Sequence, residues 1–468
     1  MSNFRVNVDD KSNNMNSDST PPTTKNQVGP EIKYGNGPLY GVKVLGITRF
    51  WNGPSATRNL SDYGATVIKV EMPNEGDPIR TQLPNDLPSG ATAQSTTNWM
   101  FEAANRGKKS ICIDLRHPNT KPVMKRLTEW ADIVVDNFRS PNIMKGWGYG
   151  YEELKKWNPQ IIYGQNSSFG PYGPKSGEGS FDAVAQAYAG AAVSNGGGTR
   201  YTPLHAPWAM ADEVGAMNFT MGLLMAIIHK QKTGEGQEIL TSQVGAMTQF
   251  QASDLVRYTM RGEQKNEGLD YRQKHYAQIM CICKDDKWIM LQVVLQKQWE
   301  GLCKGINRLD LIEDKRTVEV MARRENKIWM KKELDQAFKM KTRAEWLTIM
   351  KKMQVPAGPC NSYEDLVQEE QIWANNYLTR VKHEKKEEFI TIGKPLTFSK
   401  SPASKTDVAP ELGEHTVEVL KDLLGFTEKE IAILGTDGAI GLGYNSSHIN
   451  MFRARLAEAK RKKVASKM

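Results

Sequence analysis

The residue in this sequence best placed for covalent chemistry is Asp212, a carboxylate at the start of a long apolar segment. Apolar residues follow it at helical spacing, namely Val214, Met217, Met221, Leu224, Met225 and Ile228. This periodicity predicts a helix that ends near Thr233 and Gly234. The first N–H groups of a helix have no partner within it, so they keep a nearby carboxylate ionised and can hold a developing oxyanion. Asp212 is therefore either a nucleophile or an ordinary helix N-cap, where Asp is a preferred residue.

Length and hydropathy bound the class of protein. The chain has 468 residues, which is enough for two domains. Its longest nearly unbroken apolar run, 219–228, is about half of the roughly 20 residues that span a bilayer. The N-terminus has no apolar segment behind basic residues. We therefore expect no secretory signal, no membrane association and a cytoplasmic location.

The net charge of +9 is concentrated near the C-terminus. Residues 452–468 hold seven Lys and Arg residues against one Glu, so they carry +6 and the rest of the chain only +3. The body of the protein is therefore not a basic nucleic-acid binder. The five cysteines include no Cys-x-x-Cys pair, and none of the seven histidines lies at ligand spacing from another. We expect free thiols and no metal.

Strand and helix patterns alternate through the first part of the chain, which is typical of an α/β fold. Strands are predicted at 41–47, 65–71, 110–115, 133–136 and 161–164. Their apolar runs indicate a parallel sheet covered on both faces, Rossmann-like in shape. The turn at 46–53 lacks the Gly-x-Gly-x-x-Gly motif of dinucleotide-binding folds. Farther along, small residues at 183–193 predict one short helix.

Composition and pattern divide the chain into segments. Residues 1–37 hold few large apolar groups and are expected to be a disordered arm. A Rossmann-like large domain is predicted at 38–265 and resumes at 363–445. A smaller α+β domain, 266–362, is inserted between these two parts. Residues 446–468 form a basic C-terminal tail.

Seven stretches, taken in order, resemble the class III CoA transferases, also called the formyl-CoA transferase and carnitine CoA-transferase family. They are YGATVIKVE (63–71), NRGKKSI (105–111), ADIVVDNF (131–138), FDAVAQA (181–187), KTGEGQ (232–237), VPAGP (355–359) and LGEHTVEVL (412–420). The resemblance covers about residue 39 to about residue 436. It implies interlocked dimers in which two ring-like subunits thread each other.

The resemblance also implies roles for individual residues. The catalytic Asp of the family falls on Asp212, and an acidic position close to that nucleophile falls on Asp182. For Asp182, capping of the 183–193 helix is an equally good account. The residues that the resemblance places at the CoA site are Trp51, Asn52, Ile113, Arg116, Asn137, Phe138, Arg139, Lys145 and Asp182. The cations among them suit the phosphates of CoA.

The sequence also departs from the family pattern. A small pair early in the family falls on Trp51 and Asn52, and the glycine run of the formyl-specific enzymes is reduced to Gly268. These departures argue against a formyl or oxalyl substrate. Bulky residues are compatible with a larger or aromatic acid, namely Trp51, Phe181, Tyr201 and Trp208. The stretch 369–377 resembles enzymes that act on aryl and 2-hydroxy acids.

The function implied by the resemblance is transfer of CoA from an acyl-CoA to a free carboxylic acid through an aspartyl-CoA thioester. The CoA thioester is then a substrate, and no separate cofactor is needed. A racemase or epimerase of the same superfamily remains an alternative, but its second acid/base group, a His, falls on Phe181. A non-catalytic subunit of a heteromeric CoA transferase is a second alternative. Such a subunit would not need a nucleophile, so the presence of Asp212 argues against it. We expect a homodimer, with a related second subunit as the alternative assembly.

Overall fold

A computed structural model describes residues 35–81, 98–264, 266, 268, 275–382 and 388–442. Almost all of the predicted disordered arm and the whole predicted basic tail lie outside these residues. Within them the chain forms a large sheet, a smaller sheet and a hairpin, all surrounded by helices.

Six parallel strands make up most of the large sheet. They are β1 (Lys43–Ile47), β2 (Thr66–Glu71), β3 (Lys109–Ile113), β4 (Ile133–Asp136), β5 (Ile162–Ser167) and β6 (Glu238–Ser242). The hydrophobic residues of the first four strands are almost fully buried, because helices cover both faces of the sheet. The predicted positions of the first five strands agree with these bounds to within a few residues.

The order of the strands creates a crevice at the carboxyl ends of the two central strands, β1 and β4. Neighbouring strands in the order β3-β2-β1-β4-β5-β6 are all parallel. The chain moves outward in one direction from β1 to β3 and in the opposite direction from β4 to β6. In such folds ligands bind at this reversal, outside the carboxyl ends of the two central strands. The residues that follow Ile47 and Asp136 therefore lie where a site is expected.

Helices α1 to α10 belong to this part of the chain. They are α1 (Asn52–Asp62), α2 (Trp99–Asn105), α3 (Lys121–Trp130), α4 (Asn142–Gly146), α5 (Tyr151–Trp157), α6 (Asp182–Tyr188), α7 (Ala191–Asn195), α8 (Met210–Thr233), α9 (Gln243–Phe250) and α10 (Ala252–Arg261). Two short 3-10 helices, Pro78–Arg80 and Pro118–Thr120, supplement them.

Helix α8 lies close against the sheet because β5 has a glycine at the contact. A Cβ at Gly164 would lie 2.8 Å from side-chain atoms of Phe219 and Leu223, both of which are fully buried. The same face of α8 packs against α1. These contacts fix the start of α8, where Asp212 lies, relative to the carboxyl ends of the strands.

The prediction of one helix at 183–193 is wrong. The segment forms α6 and α7, and the break is at Gly190, whose φ of 83° is left-handed. Glycine adopts this conformation at little cost, whereas other residues do so rarely. The break turns the chain away from α6 and toward the loop that precedes α8.

A smaller antiparallel sheet has its own hydrophobic core. Its strands are β7 (Gln278–Ile282), β8 (Trp288–Gln292) and β9 (Ala357–Pro359), in that order. The helices between β8 and β9 are α11 (Gln296–Gly305), α12 (Asp310–Glu313), α13 (Val320–Glu325), α14 (Lys327–Phe338) and α15 (Arg343–Lys352). Cys281, Cys283 and Cys303 are buried in this core as free thiols, as predicted. The boundaries of the two domains stay a prediction.

The last part of the chain returns to the large sheet. Its elements are α16 (Tyr363–Leu366), α17 (Glu370–Ala374), the hairpin β10 (Leu378–Val381) and β11 (Phe389–Ile392), α18 (Thr416–Glu418), a π-helical turn (Val419–Leu423), α19 (Glu428–Thr436) and β12 (Ile440–Gly441). Strand β12 pairs antiparallel to β3. The large sheet is therefore mixed, with one antiparallel edge strand, rather than fully parallel as the sequence predicted.

Among the described residues, α8 is the one helix that is long and apolar enough to cross a membrane. It has 24 residues and a mean hydropathy of 1.3 over its most apolar window. A helix that packs in a protein core passes the same test, and α8 contributes Phe219 and Leu223 to the core. Its length and composition therefore give only weak support for a membrane segment.

Candidate active site

Asp212 lies in the first turn of α8, two residues after the helix begins at Met210. The N-cap residue is Ala209, whose φ of 51° is left-handed. Left-handed backbone is uncommon for a residue other than glycine and is often found at functional sites. Asp212 is thus not the N-cap that the sequence offered as its ordinary role.

Asp182 caps α8 instead of its own helix. Its Oδ1 accepts hydrogen bonds from the backbone N–H groups of Ala211, at 2.6 Å, and Asp212, at 3.2 Å. Its Oδ2 accepts a bond of 2.6 Å from Gln186, which is also bonded to the backbone of Ala206. The N-cap residue of α6 is Phe181 and makes no side-chain capping bond. The sequence left two roles open for Asp182, proximity to Asp212 and capping of its own helix. The structure places Asp182 beside Asp212.

One oxygen of the Asp212 carboxylate is held by Gln243. The Gln243 side-chain amide, in the first residue of α9, donates a hydrogen bond to Asp212 Oδ1. Ser180 Oγ donates to Gln243 Oε1 at 3.4 Å, which directs the amide nitrogen toward Asp212. Asp212 Oδ2 accepts no hydrogen bond from any residue that the structure describes. This second oxygen is left available for reaction.

Asp212 does not have the low pKa that its place at a helix start led us to expect. Its pKa is raised to about 7, first by burial and then by the neighbouring Asp182 carboxylate, with a smaller contribution from Glu213. The hydrogen bond from Gln243 opposes this rise. The helix start alone predicted a carboxylate that is charged at neutral pH, whereas burial and the Asp182 carboxylate raise the pKa of Asp212 into the neutral range.

Trp51 and Asn52 connect the start of α1 to the start of α8. Asn52 Nδ2 donates to the backbone oxygen of Asp212 at 3.0 Å, and Trp51 Nε1 donates to Glu213 Oε1 at 2.5 Å. Ser55 Oγ also donates to Glu213 Oε1, at 3.0 Å. Gly215 makes room for Asn52, because a Cβ at that position would overlap the Asn52 amide nitrogen. Both residues of the pair therefore position the turn that carries Asp212.

A cavity of about 140 Å³ lies beyond the carboxyl ends of β1 to β4. Three residues that the resemblance placed at the CoA site line it, namely Ile113, Arg116 and Phe138. Phe138 packs edge-on against Trp147, another lining residue, with ring centroids 5.2 Å apart. Arg116 lies at the rim and pairs with Asp114 at 2.9 Å. The cavity combines apolar walls with charged groups, as small-molecule sites usually do.

The remaining residues predicted for the CoA site do not line this cavity. Asn137 forms two hydrogen bonds of 2.8 Å with the backbone of Arg49, one to its N–H group and one to its carbonyl. Arg139 and Lys145 are exposed on the segment that follows β4. The structure thus separates the predicted residues into a cluster around Asp212, a cavity at the strand ends, two exposed cations, and Asn137, which supports the backbone of the cavity residue Arg49.

A family model described as CoA-transferase family III matches residues 39–416 of the chain. The chain belongs to this family. The match confirms the resemblance seen in the sequence and shows that the protein is an enzyme, a family III CoA-transferase. Among the described residues, no group of three or more His, Cys, Asp or Glu side chains is arranged to hold a metal ion.

Individual relatives match this CoA-transferase over most of its length. Succinyl-CoA:glutarate CoA-transferase of Mus musculus is 30% identical over 408 residues, which are 86% of this chain and 90% of the relative. Formyl-CoA:oxalate CoA-transferase of Afipia carboxidovorans is 28% identical over 431 residues, with coverage of 86% and 97%. A crystal structure of a CAIB/BAIF family protein from Brucella suis superposes with a TM-score of 0.73 at 28% identity, covering 83% of this chain and all of that one.

Several groups at the site of this CoA-transferase were missed in the sequence. Gln243 donates a hydrogen bond to Asp212, Glu213 accepts one from Trp51, and Arg49 lines the cavity. Gln243 lies 31 residues from Asp212 and Trp51 lies 162 residues from Glu213, so no local spacing reveals these contacts. A signal was present for Glu213, because it follows Asp212 directly in the first turn of the helix.

Proposed function

We propose that this enzyme moves CoA from an acyl-CoA to a free carboxylic acid through covalent intermediates on Asp212. The observation that carries this proposal is the setting of the Asp212 carboxylate. One oxygen is fixed by Gln243, the other accepts no hydrogen bond from a described residue, and Asp212 lies in the first turn of α8. A fixed carboxylate with one available oxygen is suited to attack a carbonyl.

The proposed reaction begins with attack of Asp212 on the carbonyl carbon of the donor acyl-CoA. The carbon–sulfur bond breaks, and an acyl-aspartyl anhydride and CoA thiolate are formed. The thiolate then attacks the aspartyl carbonyl, which releases the donor acid as a carboxylate and leaves an aspartyl-CoA thioester. The acceptor carboxylate repeats these steps in reverse, so that acceptor acyl-CoA leaves and the Asp212 carboxylate is restored.

This sequence requires no net transfer of protons or electrons. Each step exchanges one acyl bond for another, so a metal or redox cofactor has no role in it, and the CoA thioester enters as a substrate. The Gln243 amide is placed to donate to the oxygen of Asp212 that becomes a carbonyl in both intermediates. Such a donor stabilises the oxyanion that develops when the thiolate or the acceptor attacks that carbonyl.

For the substrates, we propose a carboxylic acid larger than formate or oxalate, with aryl and 2-hydroxy acids as the first to test. Phe181, which directly precedes Asp182, is 62% exposed and packs edge-on against Phe50 at 5.1 Å. Trp208 precedes α8 and is 64% exposed. Aromatic side chains this exposed near a nucleophile favour an apolar or aromatic acyl group. The named relatives act on succinyl-CoA and glutarate and on formyl-CoA and oxalate.

We also propose that the enzyme acts as a homodimer, with a related second subunit as the alternative partner. Residues on one face of α8 are apolar and between 44% and 63% exposed in the single chain, namely Met217, Met221, Met225 and Ile228. A contiguous apolar face of this kind is typical of a subunit interface. The proposal includes neither a nucleic acid nor a membrane as partner, and the cytoplasmic location stays a prediction.

A racemase or epimerase is the second candidate, and the position of Phe181 argues against it. A racemase needs two acid/base groups, one on each side of the α-carbon. Phe181 cannot transfer a proton, and its ring contacts Phe50. Asp182 is no substitute, because both of its oxygens already accept hydrogen bonds.

A substrate panel tests the proposal. Purified enzyme is mixed with acyl-CoA donors and with aryl, 2-hydroxy and dicarboxylic acids, and new acyl-CoA products are measured by mass spectrometry. Asp212→Asn serves as the control, and we expect it to form no product. The same reactions in deuterated water report α-proton exchange. Exchange without a free acid, together with no transfer for any pair, would establish the racemase instead.

A further inference from the structure

Two buried polar atoms just after β1 have no hydrogen-bond partner among the residues that the structure describes. Thr48 is 1% exposed, and no described residue forms a hydrogen bond with its Oγ1. The Nε of the adjacent Arg49 is also buried without a partner, and the guanidinium group forms no hydrogen bond or ion pair with a described residue. Both residues line the cavity at the strand ends. Buried polar groups are nearly always paired in native proteins, so two such groups in one cavity need an explanation.

The backbone of these residues is held firmly, although their side chains are not. Asn137 bonds to both the N–H and the carbonyl of Arg49, and Lys69 Nζ donates to the Thr48 carbonyl at 2.6 Å. Asp77 accepts a bond of 2.8 Å from the N–H of Phe50, whose φ of 62° is left-handed. The backbone of Arg49 is therefore fixed, while the guanidinium N–H groups donate no hydrogen bond to any described residue.

Three of the four acidic residues that line the cavity already have cationic partners. Glu71 pairs with Arg80 at 2.8 Å, Asp77 pairs with Lys69 at 2.7 Å, and Asp114 pairs with Arg116 at 2.9 Å. Glu75, on the rim, forms no ion pair with Arg49. Arg49 is therefore a lining cation with no ion-pair partner among the described residues, and its guanidinium carbon lies 6.0 Å from the centroid of the Phe50 ring. A partly buried guanidinium is stabilised when an anion supplies the missing bonds.

We propose that Thr48 Oγ1 and the Arg49 guanidinium form a subsite for an anionic oxygen of a substrate. The guanidinium presents planar N–H donors that match two oxygens of a phosphate or a carboxylate, and the threonine hydroxyl adds one more donor. Two sources of such an oxygen fit a CoA-transferase: the diphosphate of CoA and a second carboxylate on a dicarboxylic acid. The proposal rests on the CoA transfer proposed above and adds a residue pair to its binding site.

The test compares Thr48→Val, Arg49→Lys and Arg49→Gln with the native enzyme, and Arg324→Gln serves as a control on an exposed arginine of α13. Thr48→Val keeps the shape of the side chain and removes only the unpartnered hydroxyl. We expect it to leave the melting temperature unchanged or higher, while ligand binding weakens. A hydroxyl that served the fold would instead lower the melting temperature when removed.

The ligands distinguish the two sources. If the diphosphate is bound, Arg49→Gln weakens binding of CoA by about 10- to 100-fold, as expected for loss of a hydrogen bond to a charged group, and leaves the KM for acyl-pantetheine unchanged. If a second carboxylate is bound, the same variant raises the KM for dicarboxylic acids by a similar factor and leaves CoA and monocarboxylic acids unaffected. Arg49→Lys, which keeps the charge but loses the planar fork, is expected to fall between native and Arg49→Gln.

Two results would count against the subsite, and they differ in what else they affect. Native enzyme that binds CoA while all three variants match it within a factor of two contradicts the subsite alone. Native enzyme that binds neither CoA nor carboxylic acids contradicts the proposed CoA transfer as well. Weakened binding in Arg324→Gln equal to that in Arg49→Gln would assign the effect to net charge and would overturn the subsite.

Discussion

Asp182 accepts a hydrogen bond of 3.2 Å from the backbone N–H of Asp212. The Asp182 carboxylate therefore caps the start of α8, where the sequence predicted that the Asp212 carboxylate would be stabilised. The anion that uses the free N–H groups of α8 is therefore Asp182. Asp212 is left with Gln243 as its hydrogen-bond donor, and its pKa is raised to about 7 by burial and by Asp182. A charged carboxylate with a raised pKa is a stronger nucleophile than one with an ordinary pKa, and the charged form of Asp212 is populated as the pH rises through about 7.

The first prediction concerns Gln243. Because its amide stabilises the charged form of Asp212, Gln243→Leu should raise the Asp212 pKa and move the acidic limb of the kcat/KM profile upward by about one pH unit. The carboxyl groups near Asp212 are Asp182 and Glu213, and neither changes in this variant. Gln249→Leu, an exposed glutamine on the same helix, is the control. An unchanged limb in Gln243→Leu would mean that the amide does not set the ionisation of Asp212.

The second prediction concerns stability and pH. A carboxyl group whose pKa is raised in the folded state favours folding at low pH, and this contribution is lost as the pH rises from about 4 through about 7. Asp212→Asn removes this titration. Between pH 5 and pH 8 the variant should therefore gain roughly 1–3 kcal/mol of unfolding free energy relative to the native enzyme. An equal difference at both pH values would show that Asp212 has an ordinary pKa.

The third prediction uses two glycines of α8. A methyl group at Gly215 would displace Asn52, whose amide donates to the Asp212 carbonyl, whereas one at Gly222 would lie 3.4 Å from Ile239, an ordinary contact distance. Gly215→Ala should lower kcat about tenfold or more, and Gly222→Ala should leave kcat unchanged. Each variant gains up to about 1 kcal/mol of helix propensity, and Gly215→Ala also loses about 1–3 kcal/mol through overpacking, so the melting temperatures of both variants are measured to confirm that they fold. Equal activity of the two variants would show that the hydrogen bond from Asn52 does not position Asp212 for catalysis.

The fourth prediction tests the cations that the resemblance placed at the CoA site. Arg116→Ala and Lys145→Ala should raise the KM for acyl-CoA more than they lower kcat, as expected for groups that bind the nucleotide away from the reacting bond. Lys304→Ala, on an exposed lysine of α11, provides the control for loss of one charge. A fall in kcat at unchanged KM would place Arg116 or Lys145 near the chemistry instead.

Much of the fold follows from sequence patterns that are local. Apolar runs of four to seven residues predicted the five strands from β1 to β5, because buried parallel strands are apolar on both faces. The break at Gly190 and the antiparallel strand β12 were missed. A glycine inside a helical pattern is a weak signal for a left-handed break, and a strand of two residues has no detectable periodicity.

The candidate site was predictable in part. Asp212 stood out because a carboxylate at the start of an apolar helix is a local pattern. The family resemblance then predicted that Asp182 lies close to it. The contacts of Gln243 and Asn52 with Asp212 join residues far apart in the sequence, so only the fold brings them together. The raised pKa of Asp212 could not be predicted from the sequence for the same reason, since the helix dipole can be inferred locally whereas burial and the Asp182 carboxylate depend on packing.

Covalent trapping at Asp212 tests the central claim most directly. Enzyme incubated with acyl-CoA in the absence of an acceptor is treated with hydroxylamine or borohydride, digested and analysed by mass spectrometry. The account predicts modification at residue 212, more of it at pH 8 than at pH 5.5 because the carboxylate must be charged to attack, and none in Asp212→Asn. Transfer activity with no modified residue 212, or with modification at another carboxylate, would contradict the account.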